Sequence, residues 1–271
     1  MKTRIIAAVV LLPLLLLVLL AAPTIVTAIL FSLLCAIGAY ELLYGTGMVR
    51  HPRLVIYSML AAALVPLWCW FGCEIAAAKA GILAFFGLMF MEMMLSNLKL
   101  KLDKVALCVF GGLLIPYMLS SLVRLIVANN GRFLVLIPFA IAFLSDSGAY
   151  FIGCKFGKHK MAPVISPKKS VEGLLGGMIA GVLGMIIFVL VLQLGFGFQV
   201  NYIYAAIYGL IGSLAGVFGD LCFSVIKRQT GIKDYGNLIP GHGGVLDRFD
   251  SIIVVAFLVE LLLHWIPVVV K

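Results

Sequence analysis

Long runs of Leu, Val, Ile, Ala and Phe make up most of this chain, and short polar stretches break them at intervals. Runs of about 20 such residues, nearly free of charge, match the roughly 30 Å hydrocarbon core of a bilayer when coiled as helices. They lie at about 5–22, 24–45, 53–72, 75–97, 104–127, 132–152, 173–198, 202–226 and 251–270, which predicts nine spans. The connecting loops stay under about 25 residues, too short for a soluble domain. The pattern therefore predicts an all-α integral membrane protein, a polytopic bundle of about nine transmembrane helices.

The basic residues between the runs test that count. With the N-terminus in the cytoplasm, only Lys79, Arg124, Arg132 and Lys271 of the 20 Lys and Arg residues fall outside. The other sixteen fall inside, as the positive-inside bias requires. A wrong count would move every later loop to the other side and scramble this asymmetry. The expected orientation is N-terminus cytoplasmic and C-terminus outside, with the two richest polar loops, 153–172 and 227–250, on the cytoplasmic face.

Composition narrows the class further. The chain is 64% hydrophobic and 11% charged, against about a quarter charged in soluble domains. Most of the net charge of +9 is the orientation signal, and the rest favours anionic lipid headgroups. No basic, aromatic-bearing soluble domain is present, which argues against nucleic acid as a partner. Residues 1–22 resemble a secretory signal, but the length of the run and Pro23 after Ala21-Ala22 favour a retained first span. The six cysteines form no metal-type pattern and read as small apolar packing residues.

Polar residues inside the spans divide the chain. Residues 1–130, spans one to five, read as scaffold, lipid-facing surface or oligomer contact. Glu41 and Glu92 are exceptions there, each near a helix end where it can reach the interface. Residues 131–271, spans six to nine, hold the chemistry. Gly173, Gly177 and Gly181 recur every fourth residue, with Gly176, Ala180 and Gly184 one face round and Gly212 and Gly216 in the next span. Small residues at this spacing let helix backbones approach closely.

The densest polar block runs from Ser224 to Asp250. Asp220, Ser224, Lys227 and Arg228 share one helix face, and Asp220 lies about 9 Å inside the expected span end. An acid there needs a cation, either a neighbouring Lys or Arg or a metal. Asp247 and Asp250 share a face at the start of the last helix, and Asp146 sits within span six. Carboxylates without a Cys or His cluster suit Mg²⁺ better than Zn²⁺. Lys227, Arg228, Lys233 and Arg248, with Lys168 and Lys169 on the same membrane side, suit a polyphosphate. For Lys168 and Lys169, membrane anchoring is an equal alternative. The Gly241-His242-Gly243-Gly244 turn could present backbone N–H groups to an anion, with His242 as a ligand contact.

Residues 224–250 fit the pattern S-x-hydrophobic-K-R-x4-K-D-x-small-x2-hydrophobic-P-x-H-G-G-hydrophobic-x-D-R-hydrophobic-D at every position. Upstream stand Asp146-Ser-Gly-Ala-Tyr150 and Ser166-Pro-Lys-Lys-Ser-Val-Glu-Gly173. In these segments, over roughly residues 140–250, the chain closely resembles the phosphatidate cytidylyltransferase (CDP-diacylglycerol synthase) family. The resemblance implies a multi-pass inner-membrane enzyme with its active site on the cytoplasmic face. It would make CDP-diacylglycerol and pyrophosphate from CTP and phosphatidate with Mg²⁺, and with a second cation, monovalent or divalent. It also implies a homodimer among membrane lipids. On that reading Asp220 and Asp247 hold metal, supported by Asp250 and Asp146. Lys227, Arg228, Lys233 and Arg248 grip phosphates, Ser224 stands beside them, and His242 with Gly241, Gly243 and Gly244 lies near the pyrophosphate. Lys168 and Lys169 complete the anion site. The rivals are another CTP-dependent lipid enzyme, such as a lipid-alcohol kinase, and an ion-coupled transporter. A CDP-alcohol phosphotransferase would carry D-G-x2-A-R…G-x3-D-x3-D, which this chain lacks.

Overall fold

The structure is a computed structural model that describes residues 2–72, 75–97, 99–238, 241 and 243–270. Its long helices are α1 Lys2–Ala21, α2 Thr24–Gly45, α3 Pro52–Phe71, α4 Ile75–Leu95 and α5 Leu102–Val127. They continue as α6 Gly131–Phe156, α7 Val171–Phe196, α8 Tyr202–Thr230 and α9 Leu246–Trp265. Seven of them, α2 to α8, are long and apolar enough to cross a membrane. In α1 the described apolar stretch is the shorter Val9–Ala21, and α9 carries Asp247, Arg248, Asp250 and Glu260. The all-α membrane class holds.

Two short antiparallel strand pairs, the first of them a hairpin, add to that class. Strands β1 Lys160–Ala162 and β2 Ser166–Ser170 pair inside the stretch read as a loop, with Lys160 opposite Ser170. Strands β3 Gln199–Val200 and β4 Val269–Val270 pair near the ends of α7 and α9. Helix boundaries also move. The eighth helix runs on to Thr230, so Lys227 and Arg228 are helical, and α9 starts at Leu246, so Asp247 and Asp250 lie in its first turns.

The chain packs as two compact units. The first comprises Met1–Arg132 and Gln229–Phe249; the second comprises Phe133–Arg228 and Asp250–Lys271. Segment 229–249 packs with the N-terminal helices of the first unit. In the first unit Leu43, Leu54, Val55, Met89, Val105 and Cys108 form an apolar core. The ring of Phe249 meets Phe31 edge-on at 6.2 Å, and Leu246 packs on Gly38. Helices α2 and α5 each contain a π turn, at Glu41–Gly45 and Phe110–Leu114, a local form that often marks functional sites.

The second unit is organised by glycine. On α7, Gly173, Gly176, Gly177, Gly181 and Gly184 are buried, while Leu175, Ile179, Leu183, Ile187 and Leu194 are exposed. Large apolar side chains face outward and small ones inward, the arrangement of a helix in lipid that packs through its backbone. Gly177 lies against the Ser145 carbonyl of α6, Gly181 against the Gly209 carbonyl of α8, and Gly219 against the Asp250 carbonyl of α9. A Cβ at Gly209 would stand 2.5 Å from the Gly181 carbonyl oxygen and 2.6 Å from Val182 Cα, both backbone-fixed atoms. Gly209→Val should therefore cost about 1–3 kcal/mol or more and lower the unfolding temperature in detergent. Gly195→Ala, with open space around its Cβ, should leave it within error. Equal unfolding temperatures for the two variants would refute the close-packing account.

Candidate active site

Eight of the residues singled out in the sequence fall in the second unit. Helix α8 is 29 residues long, about 44 Å, and so exceeds the bilayer core; its C-terminal turns carry Asp220, Ser224, Lys227 and Arg228. The Asp220 carboxylate is held from two sides. Its Oδ2 pairs with Lys169 Nζ at 2.5 Å, and its Oδ1 accepts the Ser224 hydroxyl at 3.2 Å. Lys169 Nζ also donates to the Val217 carbonyl at 3.4 Å, which fixes the lysine over one turn of α8. The ion pair is the first of the two cation sources the sequence allowed for Asp220.

The β1–β2 hairpin delivers that lysine. Ser170 ends β2 and caps α7, its Oγ accepting the Gly173 N–H at 3.2 Å. Arg228 Nε donates to the Ile165 carbonyl at 3.1 Å, tying the end of α8 to the hairpin turn. Glu172 takes the Lys158 and His159 amides and His159 Nδ1, closing the entry to the hairpin. Arg228 thus has a bracing contact beyond the substrate grip expected of it.

Beneath the hairpin is a cavity of about 430 Å³, within the range of small-molecule sites. Asp146, Tyr150 and Cys154 of α6 line it, together with Lys160, Lys168 and Lys169 of the hairpin. Asp146, Asp220 and Asp250 sit close enough to repel one another, and Lys169 and Lys227 offset that charge at Asp220 and Asp250. The structure therefore gathers Asp146, Lys168, Lys169, Asp220, Ser224, Lys227, Arg228 and Asp250 in one unit. Tyr150, Cys154 and Lys160 join the cavity without having been marked as site residues.

The remaining candidates belong to the first unit. Lys233 and Arg248 are exposed, and Gly241 and Gly243 adopt φ of +76° and +86°, which only glycine takes without strain. His242 lies outside the described residues. Asp247 is buried, and its Oδ2 accepts the Tyr235 N–H at 2.7 Å and the Gly244 N–H at 3.0 Å. The Gly244 amide is thus already donated to the protein's own carboxylate instead of standing open to an anion, which corrects that part of the expected cradle.

Glu41, near the end of its helix, is buried at 4% exposure, and its two oxygens accept the Val245 and Leu246 N–H groups, at 2.9 and 3.0 Å. An acid in an otherwise apolar run was the signal that could have found it.

Oxygen donors alone suit a hard cation, and Asp146, Asp220 and Asp250 supply them. Among the described residues, however, no three or more His, Cys, Asp or Glu side chains form a ready-made metal cage.

The sequence model of the Cytidylyltransferase family matches residues 2–266. The chain belongs to this family. Among curated relatives, the phosphatidate cytidylyltransferase of Staphylococcus saprophyticus is 43% identical over 135 residues, half of each chain. That of Staphylococcus aureus is 44% identical over 138 residues, again half of each, and that of Bacillus subtilis 47% over 115. The Bacillus alignment covers 42% of this chain and 41% of the relative. The chain thus spans about half the length of the curated relatives it matches, while the family match runs nearly end to end.

Cys154 gives the cavity a chemical handle, because thiol reactivity follows exposure. It is exposed, whereas Cys35 and Cys108 are buried. N-ethylmaleimide should modify Cys154 well before Cys35 or Cys108, read by peptide mass spectrometry. Equal rates would mean that the cavity is closed to water.

Proposed function

We propose that the chain is a phosphatidate cytidylyltransferase, forming CDP-diacylglycerol and pyrophosphate from CTP and phosphatidate. The observation that carries the reading is the convergence of Lys168, Lys169 and Asp146 on one cavity, with Asp220 joined to it through its ion pair with Lys169. Cations and acids mixed in this way suit a polyphosphate and its counter-ion, and the family membership and the relatives' names agree.

In this reaction a phosphatidate oxygen attacks the α-phosphorus of CTP, and the bond to the β-phosphate oxygen breaks. The lipid phosphate is already an anionic nucleophile, so no Ser-His-Asp base is required. What the protein supplies is position and charge neutralisation. Lys169 and Lys168 bind phosphate oxygens from the hairpin, and Lys227 lies beside Asp250 to do the same. Arg228 keeps the hairpin against α8 through the Ile165 carbonyl. Lys233 and Arg248, both exposed, are further phosphate contacts. Within the second unit Asp220 would hold Mg²⁺, with Asp146 and Asp250 in support, and the ion would supply neutralisation of phosphate charge; the reading also gives Asp247 a metal-holding role and includes a second cation, monovalent or divalent. The place of Asp247 in that set rests on the family motif.

The same reading includes nine spans, a cytoplasmic N-terminus and an outer C-terminus, supported by the sixteen-to-four split of basic residues. It puts the protein in the inner membrane, with the cavity on the cytoplasmic face where soluble CTP meets lipid. A homodimer follows from the family resemblance.

Purified protein in detergent, given phosphatidate, labelled CTP and Mg²⁺, should make CDP-diacylglycerol and lose that activity in EDTA. Asp220→Asn and Lys169→Met should each lower kcat/KM by about 100-fold or more while the protein stays folded. Folded wild-type protein that makes no product would overturn the reading. Full activity in both variants would overturn the site.

A further inference from the structure

Glu41 is a carboxylate inside a membrane helix with a role that the proposed chemistry leaves unused. A buried charge is retained when hydrogen bonds compensate it, and here the compensation is backbone. Oε1 accepts the Val245 N–H and Oε2 the Leu246 N–H, so both oxygens meet the N-terminal end of α9, where the helix dipole also favours an anion. The next residue but one from Val245 is Asp247, whose own Oδ2 accepts the Gly244 and Tyr235 amides. Three successive amides, at residues 244, 245 and 246, are thus held by two carboxylates.

The surroundings are shaped for Glu41. A Cβ on Gly236 would stand 2.5 Å from Glu41 Oε1, and a Cβ on Gly244 would overlap the same carboxylate. Neither glycine has a positive φ, so what they provide is space. The π turn Glu41–Gly45 docks on the same loop, since a Cβ on Gly45 would lie 2.8 Å from the Tyr235 carbonyl oxygen. Gln at position 41 would put an NH₂ where an acceptor is needed, setting donor against donor.

We infer that Glu41 is a positioning residue, which sets the orientation of the Asp247–Arg248 turn through the Val245 and Leu246 amides. The inference rests on the cytidylyltransferase reading for its catalytic consequence, and its geometric part stands apart from it. Glu41 touches no reacting atom. Its loss lowers turnover by loosening the turn.

The test combines Glu41→Gln, Gly236→Ala and the double variant Glu41→Ala/Gly236→Ala in the full chain, beside Glu41→Ala alone. Measurements are CTP turnover, unfolding temperature and amide hydrogen exchange at residues 244–247. Glu41→Gln should fold, lower kcat about 10- to 100-fold with a smaller change in KM, and speed exchange at 245 and 246. Gly236→Ala should reduce kcat when Glu41 is present and cost little more once Glu41 is Ala. Turnover within two-fold of wild type with unchanged exchange would overturn the inference. So would a fall in unfolding temperature with unchanged kcat per folded molecule. Should Glu41→Gln fail to fold, Gly236→Ala decides by the same two readouts. Wild-type protein inactive with CTP would sink the reaction reading alone; faster exchange in Glu41→Gln would then still support the positioning role, and unchanged exchange would overturn it.

Discussion

A carboxylate removed from water must be met by cations or by N–H donors, and in a chain this apolar that requirement organises the polar residues. The protein meets it in two ways. Glu41 and Asp247 receive backbone amides of the loop that leads into α9. Asp220 receives a lysine brought by the β1–β2 hairpin and a hydroxyl from its own helix. The first solution fastens the loop that leads into α9. The second gathers charge around a cavity.

Both depend on backbones lying closer together than ordinary side chains permit. In the second unit the glycine stripe of α7 lets α6 and α8 approach, which brings Asp146 and Asp220 towards the same hairpin. In the first unit Gly236 and Gly244 leave the volume that the Glu41 carboxylate fills. Glycine serves here by subtraction, and the polar contacts occupy the space it leaves. The large apolar side chains of α7, its exposed leucines and isoleucines, are kept off that packing face.

Helix class, glycine packing and the need of Asp220 for a partner could be read from the sequence because each leaves a local mark. Apolar length marks a span, four-residue spacing marks a packing face, and Asp220 at an odd depth marks a charge in need of a partner. What could not be read is pairing between distant segments. The cation expected for Asp220 turned out to be Lys169, 51 positions earlier, and only the hairpin explains that choice. Segment 229–249 packs with the N-terminal helices because Glu41 and Phe31 engage it, contacts with no period in the sequence. Strands as short as β1, with three residues, carry too little alternation to show.

The two kinds of compensation differ in what they leave available. An amide N–H cannot leave its place without the loop unfolding, so Glu41 and the Oδ2 of Asp247 are held as long as α9 starts where it does. A lysine side chain can turn from carboxylate to phosphate by rotating about its own bonds, and Lys169 at 22% side-chain exposure has water on one side to do so. On the proposed reading the Lys169–Asp220 pair is the exchangeable contact: an arriving phosphate would take the lysine and leave the Asp220 carboxylate to a hard cation. Fixed acids hold the frame in which that exchange is meaningful, and the division follows from whether each carboxylate faces backbone or side chain.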